Sequence, residues 1–326
     1  MKYHRTEGKD LNGALSVITV VKLLLVAVGV LLPYILMFVL RLVYGTGAEG
    51  AYETFASSDT LSGQLLDVIF TTLCVFVPLA LYFFFSRKSF ADVVPMEKPT
   101  FMQVGYGVGA TVIIGFAASF VGILLLTILF AIFGMGDKFI EMNSVETVYP
   151  ENIWLVMLMV LSMSVMPALL EEFLMRGVAL NATKKFGTAF SLLFSGFFFA
   201  FLHNTWVQVP FAFVLGMVFA YFTLRFRTIW IAVISHFVYN FNSVILSLIL
   251  QHGDEYGIAI VGLWEILFLT LMLGLFIAGL IIYGVKKPDL PKSEIPSGRK
   301  MVLLLRSPFL YVFIALAVFR LVYALL

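Results

Sequence analysis

Charge is scarce in this sequence. Asp, Glu, Lys and Arg make up only 12% of its 326 residues, hydrophobic residues make up 61%, and the mean hydropathy is +1.03. A water-soluble domain carries about a quarter charged residues, so that class is excluded. The net charge of +2 gives no case for nucleic acid as a partner. Cysteine is nearly absent: Cys74 stands alone, which excludes an intrachain disulfide and any Cys-x-x-Cys metal site. The period-2 alternation of outer-membrane barrels is also missing, which leaves helices. No small-residue cleavage site follows the polar Met1–Leu11, so the first apolar stretch is expected to be retained. Tyr323–Leu326 carries no Cys-a-a-X box, so prenylation of the chain there is not expected.

What the chain has in abundance is apolar runs. Nine stand out, at 15–40, 66–86, 103–134, 152–183, 188–206, 209–226, 228–251, 258–285 and 307–325. A bilayer core about 30 Å thick takes about 20 helical residues to cross. The expected fold is therefore all-α: a polytopic transmembrane helical bundle of about eight spans, with 307–325 a ninth candidate that either spans or lies in the interface because Arg320 interrupts it. Residues 286–300, with Pro288, Pro291, Pro296 and Gly298, read as a linker. No repeat or second domain shows, so 1–326 reads as a single integral membrane domain. Gly105, Gly107 and Gly109 resemble a dinucleotide fingerprint only in spacing; they open a membrane span without a preceding strand, which favours close helix packing.

Positive charge alternates from loop to loop. Lys2, Arg5 and Lys9, then Arg87, Lys88 and Lys98, then Lys184 and Lys185, then Arg225 and Arg227, then Lys286 to Arg306 fall on one side. The other side holds only Arg41 and Lys138, among Glu49, Glu53, Asp59, Asp137, Glu141, Glu146 and Glu151. The positive-inside rule places the N-terminus in the cytoplasm, and the compact loops favour a bacterial plasma membrane.

Ionisable residues inside spans are costly and mark either function or a specific partner. Lys22 lies near the inner end of its span and is expected to snorkel. Asp67 sits at the outer end of the second span, and Glu265, about 10 Å into the eighth, has no evident role. The remaining polar groups cluster as Glu171-Glu172-x-x-x-Arg176, Phe199-x-x-x-His203 and His236-x-x-x-Asn240, which use two of only four histidines. Glu172 and Arg176 are i,i+4 neighbours and are expected to form an ion pair. Glu171 points about 100° away and keeps its carboxylate free. His236 and Asn240 share a face of the seventh span. If the fourth helix extends to Ala182, Glu171 lies roughly 19 Å from the inner surface and His236 and Asn240 roughly 12–18 Å, so the groups meet. Pro167 is expected to kink that helix one turn before Glu171.

A carboxylate beside an imidazole activates water, and an imidazole and an amide can donate to an oxyanion; together they make a hydrolase without a Ser or Cys nucleophile. Two histidines and a glutamate are also a zinc set, but His-Glu-x-x-His is absent and the histidines lie on different spans. The three motifs, in this order, resemble the CPBP family: CAAX proteases, bacteriocin-processing enzymes and the Abi proteins, related to the type II CAAX prenyl endopeptidase. The approach Arg227-Thr228-Ile229-Trp230 also resembles the family's Thr-Gly-Ser-Ile-Trp run, without its Gly-Ser pair. The resemblance covers 152–245, the expected catalytic core. It implies an intramembrane endopeptidase in which Glu171 and His203 activate water, His236 and Asn240 form the oxyanion hole, and Glu172, Arg176 and Phe199 shape the site. No cofactor is expected; the alternative is zinc on Glu171, His203 and His236. The expected partners are a peptide or membrane-protein substrate and the lipid bilayer. Competing readings are a catalytically silent scaffold or bacteriocin-immunity factor of the same fold, and a proton-coupled transporter, which would need inverted repeats.

Overall fold

The computed structural model describes residues 3–143, 149–288, 293 and 295–325; Lys2, Glu146, Pro291 and Lys292 lie outside them. In chain order the helices are α1 (Tyr3–Tyr44), α2 (Ala48–Ala56), α3 (Leu61–Ser86), α4 (Phe90–Val93), α5 (Phe101–Ile132) and α6 (Gly136–Asn143). There follow α7 (Ile153–Phe186), α8 (Thr188–Leu202), α9 (Gln208–Phe226), α10 (Trp230–His252), α11 (Gly257–Tyr283), α12 (Ser297–Leu305) and α13 (Pro308–Tyr323). Seven helical stretches among the described residues are long and apolar enough to cross a membrane. Counting α12 and α13 as one broken span, bent by 69°, makes eight. The fold is thus the all-α polytopic bundle that the composition implies. Large apolar side chains such as Phe84, Phe85, Phe101 and Ile281 face outward, as lipid requires.

Three features position the site. First, α7 is one long helix of 34 residues, capped at its start by Asn152, whose side chain accepts from the Trp154 N–H. Pro167 does not end the helix: a π-helical turn at Leu161–Val165 widens it just before the proline, and helical geometry continues beyond. Pro167 also has no N–H to bond the Met163 carbonyl four residues back. That carbonyl accepts the Asn240 side-chain amide of α10 at 3.2 Å instead. A second π-helical stretch covers Phe173–Ala179.

Second, α8 has only 15 residues, about 22 Å at 1.5 Å per residue, so the expected span 188–206 is too long. The chain leaves the helix at His203, in extended geometry (φ −69°, ψ 155°), and α9 returns from Gln208. A helix that short turns back before it crosses a 30 Å core. His203 therefore sits inside the bundle rather than at a surface.

Third, glycines let helices touch. A Cβ on Gly109 would lie 2.6 Å from the Met272 carbonyl of α11, and one on Gly107 would overlap Ile231 of α10. The 105–109 glycines are packing glycines, as their place in a span suggested. A Cβ on Gly216 of α9 would come within 2.8 Å of the Gly196 backbone and 3.0 Å of Phe199 Cβ, so α8 and α9 meet at backbone contact.

The basic loops share one end. Asp10 near the start of α1 accepts from Lys88, after α3, and from Lys185, near the end of α7, both at 2.7 Å. Three segments that the charge pattern puts on one side are joined there.

Candidate active site

The residues singled out in the sequence converge. Glu171, Phe199, His203, His236 and Asn240 line one cavity of about 390 Å³, with Met163, Pro167, Phe211 and Leu215 among the other walls. The cavity lies among α7, α8, α9 and α10.

Its floor is a buried polar knot. Arg176 Nη1 donates to Glu172 Oε1 at 3.0 Å, with both side chains fully buried. This is the i,i+4 pair that the spacing implies. Arg176 Nη2 donates to the Gly216 carbonyl at 3.1 Å, across the close contact that the glycines permit. The guanidinium also lies over two aromatic faces, 4.6 Å from the Phe199 centroid and 5.0 Å from that of Phe219. The spacing did not show a further partner: Glu172 Oε1 also takes the Nδ1 proton of His236 at 3.0 Å, 64 positions away. Glu172 therefore does more than neutralise Arg176. It orients His236, whose ring is stacked on Phe219 at 5.4 Å and edge-on to Phe199 at 5.6 Å.

The second histidine is held differently. His203 Nδ1 lies 2.9 Å from the carbonyl of Phe199, one turn back on α8. A carbonyl only accepts, so Nδ1 carries the proton and Nε2 is left bare in the neutral ring. The same reasoning applies to His236, because the carboxylate at Nδ1 is also an acceptor. Neutral His236 presents a bare Nε2, and it donates from that nitrogen only when it carries both protons.

Glu171 is the contrast. Glu171 makes no hydrogen bond with another described residue, and its Oε2 is buried. Its neighbour Glu172, one residue on, has two partners on its Oε1. The 100° turn between adjacent helical positions thus separates a bound carboxylate from a free one. Asn240 uses one amide hydrogen on Met163 and keeps a second for the cavity.

Lys22 requires a correction. It does not snorkel: it is fully buried, and its ammonium donates to the Leu202 carbonyl (3.3 Å), the His203 carbonyl (3.2 Å) and Asn204 Oδ1 (2.8 Å). A cation there closes the C-terminus of α8, where unpaired carbonyls and the negative dipole end gather. Sequence reasoning missed it because its acceptors are 180 or more positions away. Glu265, left without a role by the sequence, accepts from Asn242 at 2.9 Å, and Asn242 in turn accepts from Trp264 at 2.8 Å.

Metal ligation can be tested on the donors themselves. Both imidazoles have the Nδ1-bound tautomer that zinc-bound histidines have. Yet among the described residues no three His, Cys, Asp or Glu side chains are grouped closely enough to hold an ion. Glu171, His203 and His236 share a cavity without forming a ligand set.

Residues 152–242 match a family model. Its description is Type II CAAX prenyl endopeptidase Rce1-like. The matched stretch begins just before α7, ends within α10 and contains all three motifs, so the resemblance read from them is borne out. It covers roughly a quarter of the chain, and Lys22 lies outside it. No curated protein and no solved structure matches the chain. The family is one of CAAX-type intramembrane proteases, whose members act on peptides in a membrane.

Proposed function

We propose that this protein is an intramembrane endopeptidase that hydrolyses a peptide bond with water activated by Glu171. The observation that carries the reading is the free Glu171 carboxylate, buried in a cavity beside two histidines whose tautomers are fixed. A desolvated carboxylate without a donor is costly in a bundle. It is an acceptor waiting for a proton.

In this reading, water sits between Glu171 and the bare Nε2 of His203. Glu171 takes one of its protons as the oxygen adds to the peptide carbonyl carbon. The resulting oxyanion takes a hydrogen bond from the second amide hydrogen of Asn240 and one from Nε2–H of doubly protonated His236. The C–N bond then breaks, and the proton held by Glu171 goes to the departing amine. Glu172, Arg176 and Phe199 hold the His236 ring where this requires it. The reading uses no metal in any step, with zinc on Glu171, His203 and His236 as the alternative. The Lys/Arg-rich end is cytoplasmic in this reading, and the membrane is the bacterial plasma membrane.

The test is turnover of membrane-derived peptides by purified, reconstituted protein, wild type against Glu171→Gln. We expect the variant to stay folded, within about 1 kcal/mol of wild type as for a change that keeps volume, and to lose at least a hundredfold in turnover. Full activity in Glu171→Gln would reject the reading, as would inactivity of both proteins, which favours the silent scaffold. Zinc at one equivalent that tracks activity through removal and restoration would replace the metal-free mechanism.

A further inference from the structure

Arg176 lines a second cavity, of about 510 Å³, which shares no lining residue with the candidate active site. Its walls are α4 with the segment that follows to Glu97, the last turns of α7 and the end of α9. That segment is fastened by its backbone. The Glu97 N–H donates to the Arg227 carbonyl at 3.2 Å, and the Ile229 N–H donates to the Pro95 carbonyl at 2.8 Å. The volume falls within the range of about 300–1,000 Å³ common to small-ligand sites.

Two observations mark this cavity as polar and unsatisfied. At its floor, Thr223 and Arg176 are each only 1% exposed, and Thr223 Oγ1 and Arg176 Nε have no hydrogen-bond partner among the described residues. Both carry a proton to donate, and buried groups of this kind call for an acceptor. At its rim, Lys184 and Arg227 share the lining with Asp92 and Glu97, and all four are exposed. No ion pair among the described residues joins either cation to either carboxylate. Because Glu172 neutralises Arg176, the rim holds two charges of each sign, set apart around one space. A simple anion entering there would face two carboxylates, and a simple cation two basic groups. A zwitterion answers both.

The cavity also lies where lipid headgroups gather. α3 has ended at Ser86, α5 has yet to begin at Phe101, and α7 and α9 end at Phe186 and Phe226. The level of helix ends is the polar zone of a bilayer. We propose that this cavity binds a phosphoethanolamine group, a phosphate ester carrying an ammonium, as in a zwitterionic phospholipid headgroup. The phosphate oxygens accept from Thr223 and Arg176 at the floor and from Lys184 at the rim, while the ammonium donates to Asp92 and Glu97.

The experiment measures lipid retention by purified, delipidated full-length protein in detergent, read by native mass spectrometry. Phosphatidylethanolamine is compared with phosphatidylglycerol of the same acyl chains. We expect one phosphatidylethanolamine per chain, held about fivefold more tightly than phosphatidylglycerol, and weakened about fivefold in Thr223→Val and in Lys184→Gln, the worth of one net hydrogen bond each. The double variant Asp92→Asn, Glu97→Gln should lose the preference between the two lipids. Displacement by soluble glycerophosphoethanolamine would make a free ester the ligand; retention against it would make the lipid the ligand. Equal retention of both lipids by wild type would overturn the proposal, as would unchanged retention in Lys184→Gln, whose exposed position keeps that variant folded. Turnover plays no part in this assay, so its outcome is separate from that of the endopeptidase reading.

Discussion

Glu172 accepts two hydrogen bonds at a single oxygen, and the cost of disturbing it can be worked out from its surroundings. Its Oε1 takes Arg176 Nη1 and His236 Nδ1, each at 3.0 Å, with Glu172 and Arg176 fully buried and the His236 side chain 7% exposed. Glu172→Gln keeps an acceptor oxygen and the side-chain volume but removes the negative charge. The buried guanidinium is then uncompensated, a situation that costs about 3–5 kcal/mol. Because Gln preserves both hydrogen bonds in weaker, neutral form, its cost falls near 3 kcal/mol. Glu172→Ala, which removes both bonds, falls near 5 kcal/mol. Even the smaller figure is on the order of a hundredfold in the folding equilibrium.

The assay is unfolding in detergent micelles, followed for wild type, Glu172→Gln, Arg176→Met and the double variant. Arg176→Met alone strands a buried carboxylate, so each single variant should be unstable and the double variant should cost less than the sum of the two. A Glu172→Gln protein within about 1 kcal/mol of wild type would refute the reasoning, as would a cycle with no coupling beyond about 0.5 kcal/mol. Either result would mean that the knot is not what closes the cavity floor.

Three further outcomes are expected. Lys22→Met should lower kcat at least tenfold with KM little changed, because it frees the C-terminus of α8 and the His203 turn, and Lys22→Arg should restore part of the loss. A loss of stability with normal kcat in the folded fraction would reject the positioning role. Arg227 ends α9 in left-handed geometry (φ 51°), so Arg227→Gly should raise the unfolding midpoint by an amount worth about 1 kcal/mol; a lowered midpoint would show that the arginine side chain outweighs the strain. In Cys74→Ser cells an impermeant thiol reagent should modify Phe55→Cys and spare Phe90→Cys, since both positions are exposed and the charge pattern puts them on opposite sides. The reverse pattern would invert the topology.

The spans were legible because lipid demands long apolar runs, and the three motifs were legible because helical spacing fixes which side chains share a face. Glu172 and Arg176 pair as that spacing implies. What could not be read depends on contacts distant in sequence. The bulge before Pro167 makes sense only once Asn240, 77 positions on, is seen on the Met163 carbonyl. The early end of α8 is unmarked by Gly or Pro; Phe201 and Leu202 continue the apolar run, and it is the Phe199 carbonyl on His203 and Lys22 from α1 that settle the turn. Lys22 was read as snorkelling because position along one helix says nothing of what lies across from it. The missing Gly-Ser before Trp230 proves mild for the same reason. Arg227 adopts the left-handed geometry itself, Thr228 Oγ1 accepts from the Trp230 N–H at 3.3 Å, and Pro95 accepts from the Ile229 N–H at 2.8 Å.

The ionisable groups buried around the cavity can therefore be sorted by whether the protein itself satisfies them. Lys22 has three acceptors, Glu172 has two donors, and Arg176 has a carboxylate, a carbonyl and two aromatic faces. Glu172 Oε2 and Arg176 Nε have no hydrogen-bond partner among the described residues. Each of these three side chains is nonetheless held by contacts within the fold that fix helix ends and ring orientations, whereas Glu171 makes no hydrogen bond there. Glu171 makes no hydrogen bond to Arg176, whose donors go to Glu172 and the Gly216 carbonyl. A carboxylate left in that position is destabilising to the free protein, and packing alone would favour an apolar side chain there. A site that holds an acceptor unsatisfied until a donor arrives gains that interaction only in the complex. In the proposed reaction water bearing a proton to lose is such a donor, and Glu171 would gain its partner along the reaction rather than before it.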